Sequence, residues 1–241
     1  MRVLSSGGDR SSPLASPFGA LPTMNGAAAD GGLDTIGASP LVVGDRLWLA
    51  FVNTDDTRRV DGAVRMPDVL RDFDVFVAWL RAAHVLDADR AASIQRRPVQ
   101  QPAGAAAALV EARRVRTALR GLAERGPQFR TVRADAVAEI NRVLGRSAGT
   151  RRVEERPDGS FVRSFVPVGD AFAGLIIPVV DSAAEALITG ELTRVRRCSD
   201  PRCPRVFLDT TKNGTRRWCE MATCGNRAKA ARHREKLRTT S

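Results

Sequence analysis

Apolar residues recur along the chain with two different periods, and each period predicts an element. Leu70, Phe73, Phe76, Val77 and Leu80 follow one another at spacings of three and four, after Pro67-Asp68 as a start signal. That pattern predicts an amphipathic helix over 67–83. Trp79 lies off the centre of its stripe, placed to meet a neighbouring helix. Residues 105–125 are rich in Ala, with Leu109, Val115, Leu119 and Leu122 on one side and Gly126-Pro127 as a stop, which predicts a second helix. A third is expected over 132–144, with Val137, Ile140 and Leu144 on one face and Gly145 at its end. The period then changes. Val153, Phe161 and Phe165 around Pro157-Asp158-Gly159 predict a β-hairpin turning at Asp158-Gly159. Helical spacing returns over 170–189, where Pro178 must kink or split the helix. Ser182 with Glu185 matches a capping box and favours a fresh start there. The apolar run Leu47 to Val52, ending in Asn53-Thr54, fits either a short buried helix or a strand.

These elements divide the chain. Residues 1–40 are rich in Gly, Ser, Ala and Pro without periodicity and read as a disordered leader, or as the result of a start codon placed too early. Residues 41–190 read as a mostly α-helical domain with one small β-hairpin. Composition changes at Gly190-Glu191, and a different module occupies 194–241. The fold class expected is mainly α: a helical N-terminal domain followed by a C-terminal treble-clef-like zinc finger.

The second module is defined by its cysteines. Cys198, Cys203, Cys219 and Cys224 are the only cysteines among 241 residues, and all fall within 27 positions. Two Cys-x4-Cys pairs separated by fifteen residues supply four thiolates for one tetrahedral zinc ion. Without a secretion signal, metal binding is a better reading than two disulfides. Four cysteine ligands also close the coordination shell, so the expected ion is structural and not catalytic. Between the pairs, Arg205 to Leu208 fits a strand and Lys212 to Thr215 a turn. Asn226 to Leu237 favours a helix. The implied order is knuckle, hairpin, helix.

Charge sharpens the picture. The chain carries a formal +11, and residues 194–241 hold 14 Lys and Arg against 4 Asp and Glu, or +10 of that total. Clustered positive charge on a metal-organised helix points to a polyanion, and DNA is the leading partner. Projected at 100° per residue, Arg227, Arg234 and Arg238 form one basic stripe, and Lys229, Arg232 and Lys236 form another. Ala230 and Leu237 lie between them, which would let the helix rest on the zinc hairpin. Arg216, Arg217, Asn226, Arg227, Lys229, Arg232, Arg234 and Lys236 are the candidate nucleic-acid contacts. Asn226 and Arg227 have the donors and acceptors to read base edges. Competing structural uses exist: Arg216 or Arg217 pairing with Asp209, Arg227 bonding backbone carbonyls of the knuckle, and Trp218 packing behind the zinc instead of stacking on bases.

Cys224-Gly225-Asn226-Arg227, with Phe207-Leu208-Asp209, Asn213-Gly214, Arg216-Arg217-Trp218-Cys219, Met221 and Lys229, resembles the CGNR zinc-finger family over about 198–234. Thr211 and Glu220 depart from the serines expected there. The resemblance implies an N-terminal ABATE domain, to whose opening Phe51-Val52-Asn53-Thr54 and the later Trp79-Leu80 are similar. It also implies a role among stress-induced bacterial transcription regulators.

Other classes find little support. No run of 18 apolar residues suggests a membrane span, and no signal peptide is apparent, so a cytoplasmic location is expected. His84 and His233 are the only histidines; neither has a catalytic context, and no phosphate-binding glycine loop precedes a helix, so no enzyme is expected. Asn53, Thr54, Asp55 and Asp56 could line a pocket for a small-molecule effector, although a helix cap or turn is the commoner use. An acidic protein partner and RNA are the alternatives to DNA.

Overall fold

A computed structural model describes residues 46–55, 68, 70–124, 129–146, 148–155, 159, 161–169, 172 and 174–239. The expected leader over 1–40, Pro67, Gly126-Pro127, Pro157-Asp158 and Asp56 lie outside the described residues. Among the described residues there are seven α-helices and two two-stranded antiparallel sheets: α1 Leu47–Val52, α2 Phe73–Ala82, α3 Ala88–Arg96, α4 Pro102–Ala123, α5 Phe129–Arg146, β1 Gly149–Glu155, β2 Phe161–Pro167, α6 Ile177–Ile188, β3 Val195–Arg197, β4 Val206–Leu208 and α7 Asn226–Thr239. The expected mainly α class with small sheets is the observed one.

The ambiguous run at the start is a helix. Trp48, Leu49, Ala50, Phe51 and Val52 of α1 are all buried, as a short helix that is apolar on every side must be. It packs against α6, α4 and β4. The Phe51 ring lies tilted, 5.1 Å from Trp79 and 6.4 Å from Phe76 of α2, so Trp79 meets a neighbouring helix as its off-centre position suggested. Each large side chain withdrawn from water here contributes about 1.5–3 kcal/mol. The 22-residue α4 runs along the core, burying Ala105, Leu109, Ala112, Val115, Leu119 and Leu122. Pro102 stands in its first turn, where the missing N–H has no helical partner to lose.

Several boundaries differ from expectation for identifiable reasons. Helix α2 starts at Phe73, not near Pro67, because the Asp72 carboxylate accepts the Val75 N–H at 2.8 Å and caps it. Asp68 instead accepts the Leu70 N–H and pairs with Arg116 of α4. Pro178 does not split a longer helix. It sits in the first turn of α6, so the helix begins there and Ser182 is interior. Its hydroxyl accepts the Trp48 N–H at 3.4 Å and ties α1 to α6. Helix α3 was not anticipated, because only Ala91 and Ile94 of its nine residues are buried and its pattern is correspondingly faint. The hairpin forms with Gly149 opposite Pro167 and Glu155 opposite Phe161; β1 is exposed along its length.

Charged residues inside the helical part are paired. The Arg116 side chain, 7% exposed, bonds the Asp68 carboxylate and the Thr54 hydroxyl. Burial alone would raise the Asp68 carboxyl, but the Arg116 hydrogen bond and charge hold it below its ordinary value. Arg142 of α5 joins Glu139 and Glu111 at 2.7 and 2.9 Å, linking α5 to α4.

His84 is the one described non-glycine residue with a positive φ, at 56°. It follows α2, and the Val85 N–H reaches back to the Leu80 carbonyl at 2.9 Å, the six-residue closure of a left-handed helix stop. Glycine fits that conformation without the Cβ clash. His84→Gly is expected to stabilise the fold by about 1 kcal/mol, read as a shift of the denaturation midpoint; a loss of stability would show that the imidazole makes a contact worth more than the strain.

Candidate metal centre

Strands β3 and β4 pair with Val195 opposite Leu208 and Arg197 opposite Val206. The sequence order suggested a hairpin after the first cysteine pair. The hairpin instead embraces that pair, since the segment joining its two strands carries Cys198 and Cys203. The Cys198 N–H bonds the Arg205 carbonyl and the Cys203 N–H bonds the Asp200 carbonyl, both at 2.9 Å, which draws the knuckle into a tight loop. After β4, an ordered loop replaces the expected second strand. Asp209 is fully buried and organises it: one carboxylate oxygen accepts the Thr211 N–H and hydroxyl, the other the Arg216 N–H. These bonds, the Thr211 hydroxyl foremost, hold the carboxyl below its ordinary range. Gly214, with φ 63°, makes the expected turn. The chain then reaches Cys219, passes through a π-helical turn Met221–Gly225 and enters α7.

All four cysteine sulfurs lie within 4.8 Å of one another and are buried. Cys203 to Cys219 and Cys219 to Cys224 are each 3.7 Å apart. A zinc ion with sulfur ligands at about 2.3 Å requires a tetrahedral edge of about 3.8 Å, which these two edges match. The separations are far from the roughly 2.05 Å of a disulfide. The sulfurs lie close enough to interact directly. That pulls Cys198 down, through its hydrogen bond with Cys203, and pushes Cys203 up to about 12 and Cys219 higher still. A bound divalent cation removes the conflict by holding all four as thiolates. The four cysteines thus form a binding site for one zinc ion.

Gly225, Asn226 and Arg227 each have a local task. A Cβ added to Gly225 would lie 2.1 Å from the Met221 sulfur and 3.3 Å from the Trp218 ring, so a residue without one lets both pack against the turn. The Asn226 side-chain amide donates to the Ala222 carbonyl at 3.0 Å and satisfies a π-turn acceptor. Arg227 donates to the Cys224 sulfur at 3.1 Å and pairs with the buried Asp200 carboxylate at 2.9 Å. It therefore offsets part of the negative charge that four thiolates leave around a divalent ion and cross-links the two halves of the site. Asp200, which sequence reasoning did not single out, also accepts the Arg202 N–H at 3.1 Å; its place inside a Cys-x4-Cys loop was the available signal.

The other candidates separate into two groups. Arg216 donates to the carbonyls of Trp218 and Cys219 and lies 4.8 Å from the ring centre of Phe207. It braces the loop, and its backbone N–H donates to the Asp209 carboxylate. Arg217 is exposed and covers the Trp218 ring at 5.1 Å. Trp218 is half-buried and packed against the cysteine cluster. Lys229, Arg232, Arg234 and Lys236 are all exposed on α7. That helix has no buried residue, and Leu237 is 57% exposed. The expectation that its apolar stripe rests on the hairpin is thus corrected: one leucine and small alanines offer too little surface, and the helix is held at its cysteine end.

The fold and the centre define a class, a helical domain carrying a four-cysteine zinc finger, and the comparisons agree. Residues 194–236 match the CGNR zinc finger. Residues 45–191, more than half of the chain, match the ABATE family, described as "Putative stress-induced transcription regulator". The chain belongs to the ABATE family and carries a CGNR zinc finger. A search of curated proteins found no match.

Metal analysis of the purified protein should return about one zinc per chain, and Cys219→Ala should abolish stoichiometric binding. Arg227→Met should retain the fold but weaken zinc binding by roughly 10–100-fold, measured by competition with a chelating dye. Unchanged affinity would mean that the contact with Cys224 does not act on the metal.

Proposed function

We propose that this protein is a cytoplasmic DNA-binding transcription regulator in which the zinc module presents α7 to the phosphate backbone. The observation that carries the reading is the state of α7. It starts two residues after a zinc ligand, has no buried residue and bears six Lys and Arg against one Glu. In this reading the 41–190 module senses a small molecule or mediates association, and the 194–241 module holds DNA.

The local contacts support a narrower division among the candidates. Lys229, Arg232, Arg234 and Lys236, with Arg217, are the phosphate contacts. Arg216, Asn226 and Arg227 fix the helix and its turn, and the outer edge of Asn226 faces the same solvent. A major groove about 12 Å wide admits such a helix. Four thiolates complete the zinc tetrahedron and leave no position for water, which supports a structural ion and a protein that is not an enzyme. Arg217 over Trp218 takes up the ring face that single-stranded RNA would need for stacking. Among the described residues, no helix is long and apolar enough to cross a membrane.

The test is duplex-DNA binding by the zinc-loaded protein as a function of salt. Five phosphate contacts give a slope of log K against log salt of about −4.5. Replacing Arg232 and Lys236 together by Ala should reduce the slope by about 2 and weaken all sequences alike. Absence of salt-dependent binding, with capture of a stoichiometric acidic protein, would favour a protein-docking module instead.

A further inference from the structure

The zinc knuckle is built on a hairpin that the helical domain holds from outside. The Asn53 side chain accepts the Val206 N–H at 3.0 Å and donates to the Val206 carbonyl at 2.8 Å. It closes the free edge of β4 as a further strand would. Asn53 is only 7% exposed, and Val206 stands three residues after the ligand Cys203. One residue after that ligand, the Pro204 carbonyl accepts from Arg120 of α4 at 2.6 Å; Arg120 is 1% exposed and also pairs with Glu124 at 2.9 Å. Val195, Val206 and Leu208 are buried in the same apolar core as Trp48, Phe51 and Leu119. Glu191, just before β3, pairs with Arg46, just before α1. The helical part and the cysteine module belong to one compact unit.

We propose that Asn53 and Arg120 are positioning residues of the zinc site, and that zinc occupancy and the helical core therefore share one folding equilibrium. Both side chains reach from the helical domain to the backbone that aims Cys203. Removing either leaves buried peptide groups of the knuckle strand without partners. The effect must run in both directions: what stabilises the hairpin raises zinc affinity, and bound zinc stabilises the core around Trp48 and Trp79. The inference rests on the zinc site alone and holds whether or not α7 binds DNA.

Two measurements on the full chain test it. In Trp218→Phe, the fluorescence of Trp48 and Trp79 reports the helical core alone. Its unfolding midpoint should rise by about 5–10 °C when free zinc is raised from chelated levels to a hundred times its dissociation constant. If that variant binds no zinc, amide hydrogen exchange in α1 of the unsubstituted protein, with and without a chelator, takes its place and should slow markedly with zinc. Separately, Asn53→Ala should lower zinc affinity by roughly tenfold to a hundredfold. Arg142→Ala, which breaks the α4–α5 pairing with Glu111 and Glu139, should lower the midpoint but leave zinc affinity unchanged in the folded protein. A helical core whose midpoint and exchange ignore zinc would overturn the proposal, as would a folded Asn53→Ala protein with unaltered affinity. Should Asn53→Ala not fold, the zinc dependence of the core decides the matter by itself.

Discussion

Four thiolates can occupy a 4.8 Å cluster only around a cation, and the rest of the C-terminal architecture follows from how those thiolates are delivered. Cys198 and Cys203 hang from the ends of β3 and β4. Cys219 and Cys224 arrive through a loop organised by a buried carboxylate and a π-helical turn. One ion therefore fixes three segments that have little apolar surface of their own. The hairpin that carries the first pair buries Val195, Val206 and Leu208 in the helical core, so the constraint does not stop at the module's edge. The two family matches, 45–191 and 194–236, are physically joined through β3 and β4 of the second.

The arginines show why net charge is a poor measure of available surface. Arg116, Arg120 and Arg142 are engaged inside the helical domain with carboxylates and a carbonyl. Arg216 and Arg227 are engaged around the zinc, the first with backbone carbonyls and the second with a sulfur and a carboxylate. Guanidinium suits these places because its five donors lie in a fixed plane and remain charged when partly buried. In the tail, five exposed cations lie on α7 (Lys229, Arg232, Arg234, Lys236 and Arg238), and Arg194, Arg197, Arg202, Lys212 and Arg217 are exposed before it.

The legible parts of the sequence were those governed by short-range rules. Paired Cys-x4-Cys spacing identified the ligands, and spacings of three and four identified α2, α4 and α5. Gly214 marked a turn. Less legible were features decided by partners far along the chain. Asn53 reads as a turn or cap residue until β4 is placed against it, 153 residues away. The strand Val206–Leu208 is visible as an apolar run, but its partner precedes the knuckle instead of following it. Ser182 with Glu185 satisfies a local capping rule, yet Pro178 already provides a better start, and Ser182 is claimed by Trp48. In each case a tertiary contact chose among alternatives that the local pattern left equal.

The same reasoning explains why α7 needs both its neighbours. Isolated helices of 14 residues are marginal in water, chiefly because nucleating the first turn is unfavourable. Here the zinc ligand Cys224, the π turn and the Asn226 bond to Ala222 supply that nucleus. Further along, Arg232 with Lys236 and Arg234 with Arg238 place like charges four residues apart, which opposes the helix. No burial offsets that repulsion. An array of phosphates along the helix would relieve it, so polyanion binding and helix stability would reinforce each other. Zinc starts the helix at one end, and on the DNA-binding reading the relief of repulsion would act along the remainder. The two effects are separable because they act on different residues of the same element.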